Sequence, residues 1–161
     1  MIKTILAGII LAMGAGAGAG AGAALAADSL VGTWKLNLAT STFSPGPAPK
    51  SQTRTYSESA QGMTVTVKTK TTSGKESTTV LTFREDGKPY LISGTTDYDT
   101  VTVTRVDALT ARSTLMKAGA AVGTAERAMS KDGKTLIFEQ QGTHAGGRKY
   151  DDVSVYDKQG Q

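Results

Sequence analysis

The run Met63-Thr64-Val65-Thr66-Val67-Lys68, the dipeptide Ser73-Gly74 and the run Glu76-Ser77-Thr78-Thr79-Val80-Leu81-Thr82-Phe83-Arg84 decide the fold class. In the first run Met63, Val65 and Val67 fall on one face and Thr64, Thr66 and Lys68 on the other. A period of two is the signature of an extended strand with one buried face. The second run repeats it, with Leu81 and Phe83 on one side, and Ser73-Gly74 reads as the turn between them.

Outward from this pair the same alternation recurs. Towards the N-terminus, residues 53–58 form a further strand. Before it, residues 31–38 place Trp34, Leu36 and Leu38 opposite Thr33, Lys35 and Asn37. Between these two runs stands Ser44-Pro45-Gly46-Pro47-Ala48-Pro49, whose prolines fix φ and remove backbone donors, so it is an extended or turning connection and not a helix. Towards the C-terminus, strands are expected over 89–92, 100–106, 111–117, 121–129, 135–141 and 150–158. Glu85-Asp86-Gly87-Lys88 and Lys131-Asp132-Gly133-Lys134 read as hairpin turns, because Asp-Gly accepts positive φ. The Gly-Lys pairs after several turns are irregularly spaced and are hairpin chemistry, not a repeat.

Ten short strands with tight reverse turns predict an all-β domain in which an antiparallel up-and-down β-barrel of about eight to ten strands removes the sheet edges. Such a barrel can enclose a ligand-sized space. The alternative is an open two-sheet sandwich filled by side chains.

The first 26 residues read differently. Lys3 precedes an apolar stretch over 5–13 and a Gly/Ala tract ending in Ala24-Leu25-Ala26, the charged, apolar and small-residue layout of a secretory signal peptide. The glycines of 14–22 dilute the apolar run below what a membrane helix needs. Residues 1–26 are therefore expected to be removed, leaving 27–161 as a single domain, periplasmic or secreted, with no stable membrane insertion.

Without cysteine, the exported domain has no disulfides and must be held by its own core. After loss of Lys3 it carries 17 basic against 14 acidic residues, a charge of +3. The basic residues are scattered and the aromatics few, so no nucleic-acid partner is expected. One histidine and no cysteine argue against zinc sites of the usual composition, and no metal or other cofactor is expected.

Both ends of the domain resemble a known group. Val31-Gly32-Thr33-Trp34-Lys35-Leu36 resembles the first strand of fatty-acid-binding proteins and the wider lipocalin (calycin-type) group, where Gly-x-Trp closes the barrel base. Val153-Ser154-Val155-Tyr156-Asp157-Lys158 is similar to their last strand, which also carries an arginine two positions before the tyrosine; here that position holds Ser154. The Pro-rich 44–49 segment stands where the fatty-acid binders have a helical lid. Residues 32–37, 43–49 and 153–158 together resemble a set of uncharacterised exported bacterial proteins. That resemblance implies the bacterial envelope and no particular activity.

Among candidate site residues, Trp34 reads as a barrel plug or, alternatively, a ring stacking on a ligand. Arg105 continues the parity of Val101 and Val103, so it points inward and needs a partner. Either it snorkels at the strand end or it meets a ligand anion or a carboxylate such as Glu126. Asp97, Asp99, Asp151 and Asp152 read as turn residues, and His144 as solvated. No Gly-x-Ser-x-Gly elbow is present, and no carboxylate pair stands out, so the chain is not expected to be an enzyme.

The expected function is therefore an exported lipocalin-like barrel binding a small apolar or amphipathic ligand. Trp34, Leu36 and Phe83 would be lining or plug residues, with Arg105 or Tyr156 supplying polarity. The alternative is a structural or interaction protein with an envelope protein partner and a filled core.

Overall fold

A computed structural model describes residues 29–160. The signal peptide expected over 1–26 and the start of the domain at 27 lie outside the described residues. The described strands are β1 (Gly32–Leu36), β2 (Thr42–Ser44), β3 (Ser51–Ser59), β4 (Gly62–Lys70), β5 (Glu76–Phe83), β6 (Asp86–Ser93), β7 (Thr100–Arg105), β8 (Thr110–Lys117), β9 (Ala120–Met129), β10 (Thr135–Thr143) and β11 (Lys149–Lys158).

Every pairing is antiparallel. The order runs β1-β3-β4-β5-β6-β7-β8-β9-β10-β11, and β1 pairs back onto β11 through Trp34↔Lys158 and Leu36↔Tyr156. The sheet is thus a closed ten-stranded barrel, not the open sandwich. Closure leaves no free edge on the ring, which is why so polar a set of strands can stand without disulfides.

The eleventh strand, β2, was not expected. At ten residues β11 outruns β1, which covers only Trp34↔Lys158 to Leu36↔Tyr156, and β2 takes up the same edge at Asp151↔Ser44 to Val153↔Thr42. The chain steps sideways between them over 37–41. Ser41 Oγ accepts the Val155 amide at 2.9 Å and donates to Asn37 O at 2.7 Å, so the hydroxyl bridges β11 and the end of β1 across the step. Leu38, expected on the inner face of the first strand, lies in this step and is 45% exposed. Three residues are too short to display alternation, and β2 is held by pairing that no local pattern announces.

The hairpin expected at Glu85-Asp86-Gly87-Lys88 is present: β5 ends at Phe83, and β5 and β6 pair at Val80↔Ser93 and Leu81↔Ile92, a register centred on Asp86-Gly87, where Gly87 has φ +75°. β6 is longer than the expected 89–92, since it begins at Asp86, and its register with β7 shifts between Asp86 and Pro89. At the second Asp-Gly the expectation holds as well. Gly133, at φ +67°, closes a turn in which Ser130 N donates to Thr135 O.

Inward-facing residues alternate with Thr and Ser on the outer wall, where Thr64 and Thr82 face each other across β4 and β5 with their hydroxyls 2.8 Å apart. The inner residues meet in one core that includes Leu30, Trp34, Leu36, Leu136 and Tyr156. Trp34, Leu136 and Tyr156 are completely buried and close one end, here called the base. The Trp34 indole N–H donates to Leu30 O at 2.9 Å, and Lys158 lies over the indole ring while its ammonium donates to Ser29 O. At the other end, the mouth, gather the turns over 71–75, 94–99 and 144–148 together with the Pro-rich strap over 45–49.

Candidate functional site

Above the base plug the barrel is hollow. A cavity of about 510 Å³ is walled by inward residues from nine of the ring strands and by Phe43 of β2. That volume is within the usual range for small-molecule sites. Its lower wall is apolar, with Val65, Val67, Leu81, Phe83, Val101 and Val103. Polar groups enter at two levels.

Midway down stands Arg54. On β3, Thr53, Thr55 and Ser57 take the outer face, so Gln52, Arg54 and Tyr56 line the inner one, and all three border the cavity. The guanidinium lies 3.8 Å from the Phe138 ring centroid and 5.2 Å from that of Tyr156. Its Nε has no hydrogen-bond partner. No carboxylate among the described residues pairs with it. Burial alone would make this cation easier to deprotonate, but the phenol oxygens of Tyr156 and Tyr56 act the other way and outweigh it, so its pKa lies above the ordinary value. Arg54 is charged at any working pH.

Its polar neighbours are already matched. The Tyr156 hydroxyl donates to Gln52 Oε1, and Gln52 Nε2 donates to Thr69 Oγ1 at 2.8 Å. Gln140 Nε2 donates to the Tyr150 hydroxyl at 2.9 Å. Tyr98, also on the wall, has its phenol pKa pushed up by burial and pulled partly back by Arg54.

At the mouth His144 is one-third exposed and also has a partner that the sequence did not show. Its Nδ1 lies 2.8 Å from Asp97 Oδ2, its ring is tilted against Tyr150 with centroids 4.5 Å apart, and it borders the cavity. Burial raises the Asp97 pKa, but the Ala145 amide at 2.8 Å and His144 more than reverse this, leaving the carboxyl below its ordinary value. Asp152 behaves oppositely. Burial holds it above the ordinary value although it accepts the Ser44 amide at 3.0 Å. That bond and Arg148 Nη1 to Gly46 O at 2.6 Å tie the strap to β11 and to the last turn.

Below the cavity, a second hollow of about 190 Å³ holds the other charged cluster. Glu85 accepts a hydrogen bond from Arg127 Nη2 at Oε1, and its Oε2 forms an ion pair with Arg105 Nη2, each at 2.6 Å. Glu85 and Arg127 are nearly buried, and Arg105 is one-third exposed. The inward parity of Arg105 was read correctly, but its partner is Glu85. Glu126 lies on the outer face, paired with Arg112 at 2.8 Å.

Of the five residues expected at the ligand site, Phe83 alone lines the main cavity, at the boundary with the lower hollow. Trp34 and Leu36 belong to the core at the base. Arg105 stands in the lower hollow. Tyr156 belongs to the same core as Trp34 and Leu36, and reaches the site through its hydroxyl on Gln52 and its ring 5.2 Å from the Arg54 guanidinium. The site residues that the sequence reading passed over are chiefly Arg54, Phe138, Tyr98 and the Asp97–His144 pair. Arg54 carried a usable signal, since a strand whose alternate positions are Thr, Thr and Ser must turn Gln52, Arg54 and Tyr56 the other way.

No family model matches this sequence, and no curated protein matches it. Among solved structures the chain is similar to a redesigned β-barrel, mFAP1, bound to DFHBI, at 14% identity over 83% of this chain and 98% of that one, with a TM-score of 0.40.

Proposed function

We propose that this protein is an exported, lipocalin-like barrel that binds one small amphipathic molecule in its interior and performs no chemistry on it. The observation that carries the reading is the cavity of about 510 Å³, apolar below and polar at Arg54 and the mouth. A barrel serving only as a scaffold gains by filling its interior, because an empty space forfeits the contacts of every side chain around it. Here Trp34, Leu136 and Tyr156 are packed to complete burial at the base beside a smaller hollow of about 190 Å³, while the upper half holds the larger space. Export rests on the leader-like pattern of residues 1–26 and on the resemblance of the segments at 32–37, 43–49 and 153–158 to exported bacterial proteins.

Native mass spectrometry of the mature chain, purified without detergent, tests the reading. One small-molecule adduct per barrel is expected. It should be lost in Val67→Trp, which fills the cavity from the position paired with Arg54 across β3 and β4. A bare mass for the parent protein, unchanged after soaking with amphiphiles, overturns the proposal and moves the choice to a protein partner in the envelope.

A further inference from the structure

On the reading that the cavity holds a ligand, we infer that this ligand is a flat aromatic molecule carrying one negative charge, with its acid group seated on Arg54. Two independent features of the cavity lead there.

The first is the charge inventory. Five ionisable cations and acids border the cavity: Arg54, Asp97, Arg127, His144 and Asp152. Asp97 is engaged by His144 and by the Ala145 amide. Arg127 also has an unmatched Nε, but it is paired with Glu85, and the one charge left over in that cluster falls to Arg105, which is one-third exposed to water below the cavity. Asp152 accepts the Ser44 amide at the mouth, where it faces His144 and Arg148, and it does not pair with Arg54. Arg54 is left with the Phe138 face on one side, the uncharged phenols of Tyr156 and Tyr56 beside it, an unsatisfied Nε and no counter-charge. A buried cation met only by neutral groups lacks its ion-pair partner, and a ligand acid is the missing group. One uncompensated cation matches a monoanion. A dianion would bring a second charge with nothing to meet it. A cationic ligand would find its carboxylates at the mouth but would have to place its body against Arg54.

The second feature is the composition of the wall. The chain has nine aromatic residues, one Trp, five Tyr and three Phe. Six of them line this cavity: Phe43, Tyr56, Phe83, Tyr98, Phe138 and Tyr150. Every Phe in the chain is among them. An alkyl chain is served equally well by Val and Leu, whereas rings reward a flat π face with offset or edge contacts beyond the area they bury. Arg54 stacked on Phe138 presents its N–H groups beside such faces, the arrangement that suits a planar acid attached to a ring.

Isothermal titration calorimetry with three probes separates the parts of this inference: 2-naphthoate, flat and anionic; 2-naphthamide, flat and neutral; and decanoate, anionic and flexible. The parent protein should bind 2-naphthoate at least tenfold more tightly than either of the others. Arg54→Gln, with Arg54→Met as the second variant, should bring naphthoate down to the level of naphthamide and leave naphthamide within twofold of its parent value. Equal binding of naphthoate and naphthamide in the parent overturns the anion site while leaving the cavity reading intact. Decanoate binding as tightly as naphthoate overturns the aromatic class alone. If none of the three binds, and the purified protein carries no adduct, the cavity reading fails and the inference falls with it.

Discussion

The two ends of this barrel are built from the same alternating strands and treat the space between them in opposite ways. At the base, Trp34, Leu136 and Tyr156 reach complete burial, and the inward charges are joined in one cluster, Arg105 and Arg127 sharing Glu85. Towards the mouth the side chains leave the larger cavity, and Arg54 borders it, stacked on Phe138 with no acid to meet it. A closed sheet therefore does not dictate a filled interior. What fills it is decided by the residue at each inward position, and the contrast identifies the lower half as the stabilising end and the upper half as the end kept for something else.

If that division is right, truncation should cost most at the base. Trp34→Ala removes a fully buried ring and the hydrogen bond to Leu30 O, and should cost about 3–5 kcal/mol in urea unfolding. Phe43→Ala, at the mouth, should cost less than about 1.5 kcal/mol, because its ring faces the cavity and forfeits few contacts. Equal losses would mean that the two halves are packed alike.

Charge should separate the ends by sign. Glu85→Gln leaves two inward guanidinium groups without their acid and should destabilise by about 2–3 kcal/mol, below the full range for a buried pair because Arg105 is one-third exposed. Arg54→Met removes a cation that has no acid, and the ligand-free protein should gain about 1 kcal/mol. A loss in Arg54→Met, measured by the same urea unfolding, would show that the cation is held well enough by Phe138 and Tyr156 to need no ligand.

How much of this was legible beforehand follows from what alternation can carry. Runs such as 63–68 and 100–106 show their faces residue by residue, and the ten ring strands and the inward parity of Arg105 follow from that. Pairing across the barrel is not encoded locally. Glu85 lies in the reversal between β5 and β6, 20 residues from Arg105 and 42 from Arg127, and no sequence spacing joins them; closure of the barrel is what brings this reversal beside Arg105 and Arg127. β2 depends on β11 from the far end of the chain. His144 and Asp97 meet because two mouth turns, distant in sequence, close on one rim. Trp34 was read as plug or ligand contact, and burial at the base assigns it to the core.

The smallest expected effect lies at the rim, where two carboxyls shifted in opposite directions give stability opposite slopes with pH. Asp97 faces His144 and the Ala145 amide, with Lys117 nearby, and is held below the ordinary value of 3.8. Its contribution is complete above that value and is lost as pH falls through the lower, folded-state value. Asp97→Asn should therefore destabilise by about 0.5–1 kcal/mol at neutral pH, with the difference from the parent closing in acid. Asp152 faces His144, Arg148 and Asp151, and burial holds it above 3.8. The folded state therefore favours the protonated acid, so its penalty is complete above the folded-state value and fades as pH falls from there towards 3.8. Asp152→Asn should stabilise by a few tenths of a kcal/mol at neutral pH, discounted for its partial exposure, and this gain too should vanish in acid. Urea midpoints of the parent and both variants at several pH values check the pair. Opposite signs at neutral pH that converge below the carboxylate range are the expected pattern. A single sign for both would mean that the rim carboxyls act as one solvated cluster, and the mouth would lose the distinction between a carboxyl that fixes the turns and one whose charge burial disfavours.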